Sequence, residues 1–141
     1  MKKTLLSVLA IAAYAIMAAA QDAPLWLRKN SISPDGEQIA FTYKGNIYVV
    51  DADGGQARQI TTNPAYDTDP MWTPDGKQIV FASYREKSKD IYKVAATGGA
   101  PVRLTSHPAA ETPMAVSKDG SVIYSANIQG DAQYGDFPGE A

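Results

Sequence analysis

The apolar positions of this chain fall into short runs separated by turn residues, and the runs recur. Ile39-Ala40-Phe41, Ile79-Val80-Phe81 and Val122-Ile123-Tyr124 each follow an Asp-Gly pair. The pairs belong to Ser33-Pro34-Asp35-Gly36, Thr73-Pro74-Asp75-Gly76 and the weaker Ser117-Lys118-Asp119-Gly120, and stand 40 and then 44 positions apart. A period of about 40–45 residues built from short strands is that of β-propeller blades, each a four-stranded antiparallel sheet. The expected fold is therefore all-β, a propeller of WD-like blades.

The remaining segments repeat in register. Asn46-Ile47-Tyr48-Val49-Val50 matches Asp90-Ile91-Tyr92-Lys93-Val94, Gly54-Gly55 matches Gly98-Gly99, and Arg58-Gln59-Ile60-Thr61 matches Val102-Arg103-Leu104-Thr105. All share a shift of 44, so one four-residue insertion separates the units, where Ser83 to Lys89 replaces Tyr43-Lys44-Gly45. A hairpin loop at a blade rim tolerates such a length change. In the turns, Pro34 and Pro74 preset φ, Asp35, Asp75 and Asp119 bond nearby backbone, and Gly36, Gly76 and Gly120 take positive φ. The strand after each turn, Gln38 to Thr42 or Gln78 to Ser83, is apolar on both faces, as between neighbouring blades. An alternating strand ending near Asp51 or Ala95 follows, then a last strand ending at Thr61 or Thr105. Met71-Trp72-Thr73 reads as a short first strand, with Asp67 and Asp69 in the loop before it. Trp26 and Trp72 read as packing residues between blades.

The first twenty residues read differently. Lys2 and Lys3, the apolar stretch Leu5 to Met17 and the small residues Ala18-Ala19-Ala20 form an export signal, cleaved before Gln21. An uncleaved anchor helix is the alternative, because the uncharged run is nearly of spanning length. Removing Lys2 and Lys3 takes the formal charge from −2 to −4. A mildly acidic, mixed surface offers nothing for nucleic acid or anionic lipid. No span is expected after the signal, and with no cysteine there are neither disulfides nor thiolate metal sites. The resulting organisation is a signal peptide over 1–20, a lead-in over 21–30, blades over 31–66 and 67–110, and a partial third blade over 111–141. Two blades and part of a third leave sheet faces uncovered, which points to the N-terminal piece of a longer protein or a truncated reading frame, with a ring completed by copies of a short chain as the alternative. The remaining blades would then be the first partner of this segment.

Chemistry-bearing residues are few. His107, the sole histidine, stands where Asn63 stands in the preceding unit, just before a proline, and reads as a turn former rather than a triad member. No nucleophile elbow, phosphate loop or zinc helix occurs. Asp51-Ala52-Asp53-Gly54 opens like a calcium loop, but Thr62 occupies the twelfth-ligand position and Ala95-Ala96-Thr97-Gly98 fills the equivalent place without charge. It reads as a hairpin turn. Asp67 and Asp69 are weak candidates for binding a cation or a peptide amine at a central channel, or for capping backbone amides. Asp131, Tyr134, Asp136 and Phe137 lie in a terminal loop that is either a binding lip or the start of a missing hairpin. No catalytic, cofactor or metal residue is assigned.

The run Ser-Pro-Asp-Gly-x-x-Ile-Ala-Phe, with Asn-Ile-Tyr and then Gly-Gly-x-x-x-x-Ile/Leu-Thr, resembles the TolB-like propeller repeat from about Trp26 to Asn127. Ala23-Pro24-Leu25-Trp26-Leu27-Arg28 running into the first turn, with Lys44-Gly45-Asn46-Ile47-Tyr48 and Ser125-Ala126-Asn127-Ile128, is most similar to the start of exported tricorn-type serine peptidases. That resemblance implies a propeller gating or guiding peptides toward a catalytic core in other domains, in a periplasmic or secreted protein. A prolyl-oligopeptidase-like parent would place an α/β-hydrolase domain downstream. The alternative, of another class, is a non-enzymatic TolB-like propeller binding a protein or glycan in the envelope.

Overall fold

The computed structural model describes residues 27–128, which form ten strands and no helix. The expected signal helix, its cleavage site at Ala18, Ala20 and Gln21, Trp26, and the terminal loop with Asp131 and Asp136 lie outside these residues. Strands β1 (Arg28–Ile32), β2 (Gln38–Tyr43), β3 (Asn46–Asp51) and β4 (Arg58–Gln59) make one four-stranded antiparallel sheet in sequential order. Strands β5 (Asp67–Trp72), β6 (Gln78–Ser83), β7 (Asp90–Ala95) and β8 (Val102–Arg103) make a second of the same order. Strands β9 (Glu111–Val116) and β10 (Val122–Ala126) form a two-stranded third sheet. The first strands pack in succession, β1 with β5 and β5 with β9, so the sheets converge there, whereas β4 and β8 are exposed.

Four strands differ from the sequence reading. The first sheet opens at Arg28, inside the segment read as lead-in. Strand β5 begins at Asp67 rather than Met71, because Asp67 and Thr68 already pair with Ser83 and Ala82 of β6, while Asp67 N–H donates across to the Gly45 carbonyl of the first sheet at 2.8 Å. Asp67 and Asp69 are thus strand residues, not loop residues. The last strands stop at Gln59 and Arg103, two residues before the expected threonines. The cause is the threonine itself: Thr61 Oγ1 accepts from Ile47 N–H, and Thr105 Oγ1 from Ile91 N–H, each at 2.9 Å. A side-chain oxygen takes the place of a ladder carbonyl, so the backbone can turn away with the strand's donor satisfied.

The turns are built alike. Gly36 and Gly76 N–H donate to the Ser33 and Thr73 carbonyls, each at 2.9 Å, with φ of 79° and 68°. The Ser33 hydroxyl donates to Asp35 Oδ1 at 2.5 Å and Thr73 to Asp75 at 2.6 Å, and Ser117 likewise donates to Asp119. Glu37, Lys77 and Ser121 N–H donate to the same carboxylates.

The core lies in the seam between the first two sheets. Ala40, Ile47, Val49 and Ile60 meet Trp72, Ile79, Phe81, Tyr92 and Val94, all buried. Alternation decides this: residues two apart on a strand share a face, so 47 and 49 face the same neighbour. Phe81 stacks on its cross-strand partner Tyr92 at 6.0 Å, as Phe41 does on Tyr48 at 5.8 Å one unit earlier. Two polar clasps cross the seam: Trp72 Nε1 to the Ser31 carbonyl and Arg58 Nη1 to the Ala96 carbonyl, each 3.0 Å.

Candidate functional site at the hairpin rim

Strand direction divides the molecule into two rims. One carries the Asp-Gly turns; the other carries the β2–β3 and β6–β7 hairpins, the β4–β5 and β8–β9 connections, and the starts of β1, β5 and β9. Both weak binding candidates lie at the hairpin rim, and both are engaged within the chain. Asp67 is fully buried. Its carboxylate accepts from Ser83 Oγ at 2.5 Å and from Arg85 Nη2 at 2.9 Å. The Arg85 guanidinium also donates from Nε to Ser83 and lies 5.1 Å from the Tyr92 ring centre and 5.5 Å from that of Phe81. Asp69 occupies a bulge with φ of 55°, and Lys29 repeats that conformation at 49°; their side chains form an ion pair of 3.3 Å across the seam. Asp67 answers a guanidinium and a hydroxyl, not backbone amides.

The sequence reading missed two further buried acids. Asp90 accepts from Arg103 Nη2 at 2.8 Å and from Ser88 Oγ at 3.2 Å. Glu111 holds the place of Asp67 in the third sheet, where Ala126 faces it across the ladder as Ser83 faces Asp67. Its Oε2 has no hydrogen-bond partner among the described residues. The signal is present in the sequence, since 67 and 111 share the shift of 44, but it shows only once Asp67 is known to open a strand.

His107 shapes a turn, as expected. Ala109 N–H donates to its Nδ1 at 3.1 Å, and at the equivalent place Ala65 N–H donates to Asn63 Oδ1 at 2.8 Å. That bond occupies the nitrogen a triad carboxylate would orient. Among the described residues no group of three or more His, Cys, Asp or Glu is placed to hold a metal ion. Gly54 N–H donates to the Asp51 carbonyl at 3.0 Å, as Gly98 does to Ala95, so Asp51-Ala52-Asp53-Gly54 is a hairpin turn.

Charge is unevenly divided. The turn rim exposes Asp35, Glu37, Asp51 and Asp53 around one open groove, with Asp75 and Asp119 beyond it. The Asp35, Asp75 and Asp119 carboxyls are held below the usual carboxylate range, first by the hydroxyls of Ser33, Thr73 and Ser117 and then by backbone N–H groups. At the hairpin rim the described acids are buried or paired apart from Glu86, and Lys44 and Lys87 face solvent. There an open groove of about 310 Å³ is lined by Arg28, Thr42, Lys44, Gly45 and Tyr66. Thr42 is buried, and its Oγ1 has no hydrogen-bond partner among the described residues.

Repeated four-stranded sheets packed face to face, joined from the last strand of one to the first of the next, define a β-propeller. Residues 24–136, four fifths of the chain, match the family described as the tricorn protease N-terminal β-propeller domain, and the chain belongs to that family. It is 44% identical over 57 residues to the Tol-Pal system protein TolB of Anaeromyxobacter dehalogenans, covering 35% of this chain and 13% of that one. A solved Agrobacterium tumefaciens structure assigned to TolB superimposes with a TM-score of 0.67 at 25% identity, covering 74% of this chain and 39% of the other. The tricorn protease structure superimposes with a TM-score of 0.63 at 22% identity, covering 72% and 11%, and so speaks for the fold alone. The chain therefore spans well under half the length of these relatives.

Proposed function

We propose that the chain is the propeller segment of an exported tricorn-like serine peptidase, where it gates or guides peptides toward a catalytic core outside these residues. The observation that carries this reading is the match to the tricorn N-terminal propeller over 24–136. Its hairpin rim offers polar loops and an open groove, which suits a guiding module. Residues 1–20 act in this reading as the cleaved export signal, with a periplasmic or secreted destination, and peptides or proteins are the partners.

The test uses the longer protein in which the propeller continues. Deleting residues 27–128 should impair hydrolysis of long peptides and spare short chromogenic substrates, because the core no longer needs to be reached through the propeller. Equal losses for both lengths, or a parent without peptidase activity, would sink the proposal.

A second reading is favoured by the TolB relatives: a propeller without catalysis that binds an envelope protein or glycan. Cross-linking of the intact protein in cells separates the two, since a stable envelope partner and no turnover belong to this second reading.

A further inference from the structure

We propose that the hairpin-rim groove beside Tyr66 is a docking site for proline-bearing peptide segments in the polyproline II conformation. This rests on the peptide-guiding reading above and names the kind of segment the rim takes. The first argument is an internal comparison. The seam between the first and second sheets and that between the second and third are closed by the same bonds. Asp67 N–H donates to the Gly45 carbonyl at 2.8 Å, and Glu111 N–H to that of Lys89 at 2.7 Å. Tyr84 N–H donates to the Tyr66 carbonyl at 3.1 Å, and Asn127 N–H to that of Ala110 at 3.0 Å. Tyr66 and Tyr84 thus stand where Ala110 and Asn127 stand one seam on, so the closure needs neither ring. Yet the rings are 48% and 50% exposed and meet edge to face at 6.3 Å. Paired aromatic surface left in water where the fold does not call for it marks a place of contact.

The second argument is what the groove offers an occupant. It opens at the rim between the first two sheets, away from the outer faces of the first and third sheets on which further blades would stack. Gly45 lies close against Tyr66: a Cβ there would approach the ring to 3.2 Å. The aromatic wall is therefore set in advance, and little ordering is needed on binding. The charges nearby are already answered. Lys44 lies 5.3 Å from the Tyr43 ring centre, Lys29 pairs with Asp69, Arg28 is engaged, and exposed Glu86 and Lys87 are neighbours. No field of one sign selects an ion there. What is left is the aromatic wall and the buried Thr42, whose Oγ1 has no partner among the described residues and whose place is taken by Ala82 one seam on. Such a surface favours a ligand with apolar rings and few donors. Proline has no N–H to satisfy, and a polyproline II segment makes no internal hydrogen bonds, so its carbonyls are free. Its rings lie on Tyr66 and Tyr84, as in other aromatic-lined grooves, and one carbonyl accepts from Thr42 after a rotation about χ1. A sugar would instead bring several hydroxyls to a groove with few polar partners, and each one left unpaired is costly.

Fluorescence anisotropy of the full chain with labelled decaproline tests this, beside a glycine-serine peptide of the same length and label. Decaproline should bind, with an affinity that changes less than about twofold as salt is raised, since no ion pair forms. Tyr66→Ala should weaken it about tenfold, the scale of one lost aromatic contact, whereas Tyr66→Phe keeps the ring and should stay within about twofold. Where Tyr66→Ala lowers the melting temperature, Tyr84→Ala repeats the test on the other ring. Thr42→Val should weaken binding about threefold with the melting temperature unchanged or raised, because the variant removes an unpaired hydroxyl; a merely structural Thr42 would leave binding unmoved. Tyr124→Ala, at an exposed tyrosine of the third sheet, should change affinity less than about twofold. Equal binding of the glycine-serine peptide would overturn the proline preference and leave the guiding reading intact. Displacement of decaproline by chitotetraose would overturn it in favour of a glycan. Equal loss in Tyr124→Ala, or no binding at all, would also overturn it. Absence of peptidase activity in the parent would count against the guiding reading without touching these affinities.

Discussion

Trp72 reaches from the second sheet into the first, its indole N–H donating to the Ser31 carbonyl 3.0 Å away. The ring is buried in the seam core that also holds Ala40 and Val49, so one side chain contributes both apolar area and a satisfied polar contact. Trp72→Phe keeps most of the area and abandons the carbonyl. It should cost about 1–2 kcal/mol, read as a lower denaturation midpoint at unchanged slope. Trp72→Ala should cost about 3–5 kcal/mol, because it also opens a cavity. Equal effects from the two would show that the hydrogen bond contributes nothing.

Arg85 and Asp67 form the most enclosed ion pair among the described residues, with side chains 12% and 0% exposed. Removing the cation alone strands a buried carboxylate, so Arg85→Met should destabilise by about 3 kcal/mol or more. The double variant Asp67→Leu with Arg85→Met should recover much of that loss. Additive losses in thermal unfolding would mean that the two charges act independently.

The turn carboxylates set a pH dependence whose sign follows from their partners. Asp35 and Asp75 lie below the ordinary carboxylate value in the folded chain, so folding favours their ionised forms. Their contribution is present above the unfolded-state value of about 3.9 and is lost as pH falls through the lower folded values. Asp75→Asn should flatten the acid limb of a stability–pH curve relative to the parent. An acid limb of undiminished slope would remove Asp75 from this role.

Gly76 has φ of 68°, and nothing crowds its α-carbon closer than Pro34 Cδ, 3.8 Å from where a Cβ would stand. The cost of Gly76→Val is therefore backbone strain rather than collision, at least about 1–2 kcal/mol for a β-branched residue. Gly76→Asn should cost clearly less, since asparagine visits this region. Matching melting temperatures for the valine variant and the parent would refute the turn geometry.

Thr61→Val leaves Ile47 N–H without its acceptor inside the core, with an expected loss of about 1–3 kcal/mol. Thr61→Ser restores an oxygen at the same place and should recover most of the loss. A serine variant no better than valine would locate the role of Thr61 in its methyl group instead.

Much of this protein was decided by the sequence locally. Turn, strand and hairpin chemistry act over a few residues, so Pro34-Asp35-Gly36, its repeats at Gly76 and Gly120, and the alternation along β3 and β7 declare themselves without the rest of the chain. Even the role of His107 followed from its repeat position, because a turn needs only an acceptor two residues before the donor. Contacts that join distant positions were not legible. From the sequence Asp67 and Asp69 read as loop acids that either bind a ligand or cap backbone amides, because no local pattern reveals that Arg85, 18 residues on, folds back over Phe81 and Tyr92, or that Lys29 meets Asp69 across a seam. The same holds for the division of charge between the rims. The sequence is mixed in charge along its length, and only strand direction sorts Asp35, Asp51 and Asp75 to one end and Lys44 and Lys87 to the other. Backbone preference is a property of neighbours in sequence, whereas burial and field depend on neighbours in space, and only the packed sheets supply those.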